Sequence, residues 1–470
     1  MKRFKLYALP LLLLGPAAVE ASEPQVQQPA SSATEVALSA ADIAKQQKSD
    51  ERAQAKVLKD LKKKYGEGPY PGELVGFVES KPEVLRPLFK TLYLGGERNA
   101  VLNYSRLGLA AIEVGEWNVA ERAFDGALTR IESVYSKNKA AEQAKSVWKK
   151  EARKEFKGEP YERAMAYYYR GLLYLRSEDY DNARASFKSA LFQDSINLDG
   201  DRGQDFVSMN YLAGWASHCA GDNSDAQEQF GYAVKGKAAL TAPVAGSNTL
   251  YVAEIGKGPE KVKAGANMEL LEFKSRADWP ETRAVYSWEN ASVSPIEAAS
   301  LTYQAAERDG RKMDGVLKGK AETKQMTSAM GDAMMNNALS NPYASSGSML
   351  GGLFGGLMMK ALSSTMRADA DIRMWDSLPD RIMISADKPA QSSRPLAVAY
   401  FNGDVPVELT PAAMHFSAGK KCSLAWSRSR SALSFDPATP GDDAGVAKAS
   451  SSRKDVQLKD KAFRDNLAIF

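Results

Sequence analysis

The sequence predicts an α+β protein: an N-terminal α-helical repeat domain, then strands, a Gly-rich apolar helical segment and a small antiparallel β domain. Three observations predict it. A Gly–Ala–aromatic–Ala pattern recurs three times between residues 93 and 235. The apolar periodicity shifts toward strands from Thr249 onward. Short strand-like runs near the C-terminus are then punctuated by Asn402-Gly403 and Ala418-Gly419-Lys420.

A chain of 470 residues has room for two or three domains. Its 44% apolar and 26% charged residues are ordinary for a globular protein. The formal net charge is +4, and Lys2, Arg3 and Lys5 supply three of the cations. The rest of the chain is nearly neutral. A nucleic-acid partner is excluded on this ground, because phosphate binding needs a concentrated basic surface.

Those three cations precede the apolar stretch Leu6 to Val19, which Pro10 and Pro16 interrupt. Val19-Glu20-Ala21 offers a small-x-small cleavage site. Residues 1–21 therefore read as a secretory signal peptide, and the protein as exported to the periplasm. The first Cys is Cys219, so no lipid-bearing Cys follows the apolar stretch and the chain does not read as a lipoprotein. Residues 22–49, rich in Ala, Ser, Gln and Glu, read as a disordered spacer. A short charged helix over residues 50–65 ends at Gly66-Glu67-Gly68-Pro69.

Residues 50–240 read as the helical repeat domain. In the first repeat Tyr104 and Gly108 precede Ala120, Phe124 and Ala127. In the second, Tyr167, Gly171 and Tyr174 precede Ala183, Phe187 and Ala190. In the third, Gly214 precedes Ala226, Phe230 and Ala233. Small residues let two helices approach closely, and the aromatic fills the hole between them. Each hairpin leaves an apolar face for the next to cover. This spacing resembles the tetratricopeptide (TPR) consensus. The repeats start near residues 101, 164 and 207, so insertions separate them: a Lys-rich helix over 137–157 and an acidic loop over 194–205.

Residues 241–431 read as a β-containing domain. Strands are expected over 249–255, around 262, over 268–273, 382–386, 396–401, 405–409, 413–417 and 422–426, with a helix over 292–332. Residues 345–362 are apolar and Gly-rich, too short to span a bilayer as a helix. A buried hairpin, a membrane-surface element and an oligomer contact are the readings open to them, with Leu353, Phe354 and Leu357 as the contact residues. Residues 432–470 read as a flexible tail. Cys219 and Cys422 fall in different domains, which favours two separate buried thiols over a bridge.

Several of these pieces, in this order, resemble a little-characterised family of bacterial exported TPR envelope proteins with a C-terminal β domain. The resemblance rests on residues 101–108, Lys157-Gly158-Glu159-Pro160-Tyr161-Glu162, residues 252–262 with their Gly256-Lys257-Gly258-Pro259 turn, the Gly-rich segment, Arg373 to Pro379 and Ala418-Gly419-Lys420. It implies work at the envelope, where members are often lipoproteins; this chain departs from them in lacking the lipid-bearing Cys that would anchor it at the outer membrane. It brings no catalytic residues.

The residues themselves point to no chemistry. His218 and His415 are the two histidines, and neither has a partner at metal or nucleophile spacing. No catalytic residue, metal or cofactor is assigned. The expected function is a periplasmic scaffold that binds envelope proteins or peptides, with Tyr104, Tyr167, Arg170 and Tyr174 lining the repeat groove. A peripheral membrane contact through the Gly-rich segment would accompany it. The alternatives are a cell-envelope hydrolase with an unidentified carboxylate pair and a structural homo-oligomer.

Overall fold

The repeated glycines lie where helices cross. A computed structural model of the chain describes residues 71–136, 155–195, 206–264, 270–276, 279–289, 291–306, 371–388, 396–433 and 454–470. The first eight α-helices among the described residues are α1 (Pro71–Glu79), α2 (Arg86–Gly95), α3 (Ala100–Glu113), α4 (Trp117–Ser136), α5 (Pro160–Arg176), α6 (Tyr180–Ser195), α7 (Val207–Ala220) and α8 (Asn223–Gly236). α3 pairs with α4, α5 with α6 and α7 with α8. A Cβ on Gly108 would lie 2.7 Å from the Phe124 ring, one on Gly171 2.5 Å from Phe187, and one on Gly214 3.0 Å from Phe230. No side chain fits there without parting the helices. Ala120, Ala183 and Ala226 are buried beside them. The repeat pattern in the sequence is thus a pattern of helix contacts.

The N-terminus of α5 is built from the Gly158-Glu159-Pro160-Tyr161-Glu162 run. Pro160 occupies the first turn, where its missing N–H costs nothing. The Glu159 N–H donates to the Glu162 carboxylate at 2.6 Å. Glu162 also receives Lys261 Nζ at 2.8 Å and the Trp375 N–H at 2.7 Å. One cap therefore anchors two distant segments.

The strands are β1 (Thr249–Ile255), β2 (Glu260–Ala264), β3 (Leu270–Lys274), β4 (Arg283–Trp288), β5 (Ala291–Val293), β6 (Ile296–Ser300), β7 (Arg381–Asp387), β8 (Ala397–Asn402), β9 (Val405–Val407), β10 (Ala413–Ser417) and β11 (Ser423–Arg428). One sheet has the order β10-β11-β1-β7-β6, with β1 and β11 parallel and its other pairs antiparallel. A second has the order β5-β4-β8-β9, and β2 pairs with β3 alone. β1 is buried along its whole length, and period-two alternation sends its residues both ways. Leu250 and Val252, with Ile382, Ile384, Leu424 and Trp426, join the helical core. Tyr251, Ala253, Ile255, Met383 and Ala425 face Ala284, Tyr286 and Tyr400 of the second sheet. The layers run outer helices, inner helices, five-stranded sheet, four-stranded sheet. The change near residue 240 is one of secondary structure and not of packing, because helices and sheet share one core.

Several expectations change. Cys219 and Cys422 form a disulfide, with Cα atoms 5.8 Å apart. Sequence separation suggested two domains, whereas packing puts the end of α7 beside the β10–β11 turn. Of the helix expected over 292–332, residues 296–300 pair with β7 as strand, and the described helix there is the short α9 (Leu301–Ala306). Sheet pairing overrides the helical propensity of Glu297-Ala298-Ala299. β4 was not foreseen, although Arg283 to Trp288 alternates. Within the expected flexible tail, residues 454–470 instead form α10 (Lys454–Asn466) and a final turn. Phe463 and Leu467 of that segment are buried. The spacing of Phe463, Leu467 and Phe470 is an apolar stripe in a polar sequence, and α2, α3 and α4 cover it. The expected signal peptide, spacer and helix over 50–65, residues 137–154 of the expected Lys-rich helix, residues 196–205 of the expected acidic loop, residues 307–332 of the expected helix, the Gly-rich segment with Leu353, Phe354 and Leu357, and residues 434–453 of the expected tail lie outside the described residues.

Just before β4, Glu281 is buried and accepts Arg430 Nε at 2.7 Å and Ser429 Oγ at 2.8 Å. Burial pushes this carboxyl up, but Arg430 and Ser429 outweigh it and hold it below its ordinary value of 4.5. Its contribution to stability is complete above that ordinary value and is lost as pH falls through the folded value. Urea midpoints measured from about pH 6 down to about pH 3 should therefore fall more gently in Glu281→Gln than in the parent. Identical acid limbs would remove Glu281 from the account.

Candidate functional site

α5 divides its side chains between two surfaces. Tyr161, Met165, Tyr168 and Leu172 recur at helical spacing and are buried. Tyr161 meets Phe273 of β3, and Tyr168 reaches Glu254 of β1. Tyr167, Arg170 and Tyr174 form another stripe and line a groove of about 330 Å³, with Tyr167 and Arg170 largely buried at its base and Tyr174 half-buried. α4 adds Asp125, Leu128, Thr129 and Glu132 to its wall, and α6 adds Asn182, Ala185, Ser186 and Ser189.

Arg170 sits at the centre. Its Nε and Nη2 donate to Asp125 Oδ1 and Oδ2 at 2.8 and 3.3 Å, and its guanidinium lies 3.9 Å from the Tyr174 ring centroid. The Tyr167 hydroxyl donates to Glu132 at 3.0 Å. The Asp125 side chain is 55% exposed, so the ion pair itself adds at most about 1 kcal/mol. Its effect is to fix the guanidinium plane against the ring. Burial pushes the Tyr174 phenol up, opposed by Arg170, so the hydroxyl stays protonated. Asp125 and Glu132 share the groove, but Asp125 is solvated and clamped by Arg170. That is not the water-excluded setting of a general acid. The lining mixes two tyrosines, Leu128 and Ala185 with hydroxyl, amide and carboxylate groups, a chemistry suited to holding a chain segment.

Three of the four residues expected to bind a partner, Tyr167, Arg170 and Tyr174, thus come together. The fourth does not join them. Tyr104 is buried under the C-terminal segment, between Phe463 (centroids 5.8 Å) and Phe470 (6.1 Å). Asp125, Glu132 and Ser189 were not singled out from the sequence. Asp125, Thr129 and Glu132 lie at helical spacing on one face of α4, which was the available signal.

The inner face of the helix pairs, the surface such arrays commonly use for binding, is covered by the chain's own strands. From α3, Arg106 pairs with Asp376 at 2.7 Å and Glu113 receives the Ala432 N–H. From α5, Tyr168 and Tyr169 donate to the two oxygens of Glu254 at 3.1 and 2.9 Å. From α7, Cys219 is bonded to Cys422. Trp426 Nε1 and Arg428 Nη1 complete the Glu254 cluster at 3.0 and 2.6 Å. Burial pushes the Glu254 carboxyl up, opposed by Arg428 and the Trp426 and Tyr169 donors.

Arg373 to Pro379 acquires a role here. Arg373 is buried and grips Asp371 and Asn99, while Trp375 packs against Tyr169 (5.6 Å) and Phe124 (6.2 Å). The segment wedges between helices and sheet. Both histidines meet backbone carbonyls: His218 Nε2 lies 3.2 Å from Ser247 O, and His415 Nε2 3.1 Å from Glu113 O. Among the described residues, no group of three or more His, Cys, Asp or Glu is placed to hold a metal ion. Among them too, no helix is long and apolar enough to cross a membrane.

No protein-family model, curated protein or solved structure matches this chain. The functional reading therefore rests on its own residues.

Proposed function

We propose that the chain is an exported TPR-like scaffold of the bacterial cell envelope, which holds a partner protein or peptide on the outer side of its helix pairs. The observation that carries this reading is the contrast between the two faces. The inner face is filled by the chain's own sheet, while Tyr167, Arg170 and Tyr174 line a groove on another face of the helix pairs. The Gly–aromatic contacts support the TPR-like part of the reading. The Cys219–Cys422 disulfide supports export, since such bonds persist in oxidising compartments. Periplasmic residence agrees with the signal-peptide pattern of residues 1–21.

A photo-crosslinking residue placed at exposed Asn182, on the groove rim, tests it in living cells. One or a few envelope proteins should be captured there, and not from Lys235 on α8. Capture from neither position, or the same proteins from both, would remove the groove as the binding surface.

A further inference from the structure

α10 is a short helix held by few anchors. It has 13 residues, and its segment buries Phe463 and Leu467, one turn apart, with Phe470 half-buried beyond them. That is the i, i+4, i+7 spacing of a helix lying in a groove. Lys461, Ala462, Asp465, Asn466 and Ala468 between them are exposed. A helix this short is marginal alone in water, so what it docks on keeps it ordered.

The dock is built far from α10 in sequence. Phe463 packs edge-on against Tyr104 of α3, with centroids 5.8 Å apart, and Phe470 packs against Phe89 of α2 at 5.5 Å. Arg130 of α4 lies over both the Tyr104 ring (5.1 Å) and the Phe463 ring (5.2 Å). Glu97 holds that guanidinium through two bonds of 2.9 Å, so the cation is in place whether or not α10 is. A carboxylate notch completes the groove. The Glu97 N–H donates to Asp460 Oδ1 at 3.0 Å. Gly96 stands beside it at φ 60°, and a Cβ there would overlap the Asp460 carboxylate. Glycine serves both the turn and the close approach. At the far end Arg122 donates to the Ile469 carbonyl.

The described sheets do not include this segment, and the disulfide lies elsewhere. Beneath it α3 keeps its own contacts, Gly108 on Phe124 and Arg106 on Asp376. We infer that the face of α2, α3 and α4 under α10 is a docking groove for an amphipathic helix of another protein, and that α10 is its resident occupant, which such a helix displaces. The partner helix carries an aromatic anchor over Tyr104, apolar anchors four and seven residues on, and an Asp or Glu three residues before the first. A second copy of this chain is the poorer occupant. It offers only the contacts α10 already makes, and association costs translational and rotational freedom. A foreign helix has more to gain, since Phe470 is only half-buried and Ile469 is exposed. The resident lowers the partner's apparent affinity by the fraction of molecules with the groove vacated. The groove lined by Tyr167 uses none of these residues, so the two surfaces are tested apart.

The test uses the full chain, as parent and as Phe463→Ala/Leu467→Ala, with a fluorescent peptide of residues 454–470 as the probe helix. The substitutions lie in the resident segment and leave the groove residues as they are. By anisotropy, the double variant should bind the peptide at least tenfold more tightly than the parent does. Bound peptide should slow hydrogen exchange within residues 89–130. Phe463→Ala in the peptide should abolish binding, and Asp460→Ala should weaken it several-fold. In the parent alone, amides over 454–466 should exchange through a local opening that low urea does not change. Exchange there only through global unfolding would overturn the inference, because α10 would then be core. Equal binding by parent and variant, protection outside residues 89–130, or loss of cooperative unfolding in the variant would do the same. A dimer of the parent that grows with concentration and disappears in the variant would put a second copy in the groove and overturn its assignment to another protein.

Discussion

Glu254→Ala is expected to destabilise the protein by about 3–5 kcal/mol, the usual cost of leaving one member of a buried ion pair uncompensated. Glu254 is fully buried and Arg428 is 2% exposed, with 2.6 Å between Oε2 and Nη1. Its two oxygens accept four donors in all: Tyr168, Trp426, Tyr169 and Arg428. Alanine strands all four away from water. Arg428 keeps its bonds to the Ser377 and Arg430 carbonyls, so its charge stays trapped. The double variant Glu254→Leu/Arg428→Met should recover much of the loss, because apolar residues of similar volume need no partners. Urea unfolding followed by tryptophan fluorescence measures both. A loss under 1 kcal/mol in the single variant would mean that the cluster is solvated in solution. The helices and the sheet are registered through this cluster, so the single variant should also raise hydrogen exchange in α5 and β11 together.

The disulfide carries the second large effect. It closes a loop of 203 residues between α7 and the turn before β11. On chain entropy alone, a loop of this size is worth about 5 kcal/mol, and measured losses on removing native disulfides run about 2–5 kcal/mol. Cys219→Ala/Cys422→Ala should lower stability by that amount and, in cells, increase proteolysis. The Lys420 N–H donates to Glu178 at 3.0 Å beside the bond, so the turn still has a weak dock without it. The direct check is thiol titration of the denatured, unreduced protein. Two reactive thiols there would show that the bridge does not form, and the predicted loss would vanish with it.

Local chemistry made the helix pairs legible. Gly108 with Phe124, Gly171 with Phe187 and Gly214 with Phe230 are close approaches between neighbours in sequence, and hairpin geometry fixes their spacing. β1, β7, β8, β10 and β11 were legible because alternation and turn residues are also local. Tyr167, Arg170 and Tyr174 were found by the same logic, as polar and aromatic positions on a helix face. Their setting was not, because a pattern on one helix face does not say what the rest of the chain packs against. Which surface stays open depends on what the remaining chain covers, and the sheet covers the inner one.

Composition and periodicity by themselves determined the α+β class, the three helix pairs and the residues that let each pair close. The tertiary structure alone decided that helices and sheet share one core, that Cys219 meets Cys422, that Tyr104 lies under α10 and that Tyr167, Arg170 and Tyr174 line one groove. The division has one physical cause. Helix and strand signals arise from contacts a few residues apart, whereas the bridge, the Glu254–Arg428 cluster and the α10 dock join residues 203, 174 and 363 positions apart. Which apolar faces find each other over such distances is set by the best mutual burial in the whole chain, and no local pattern records it.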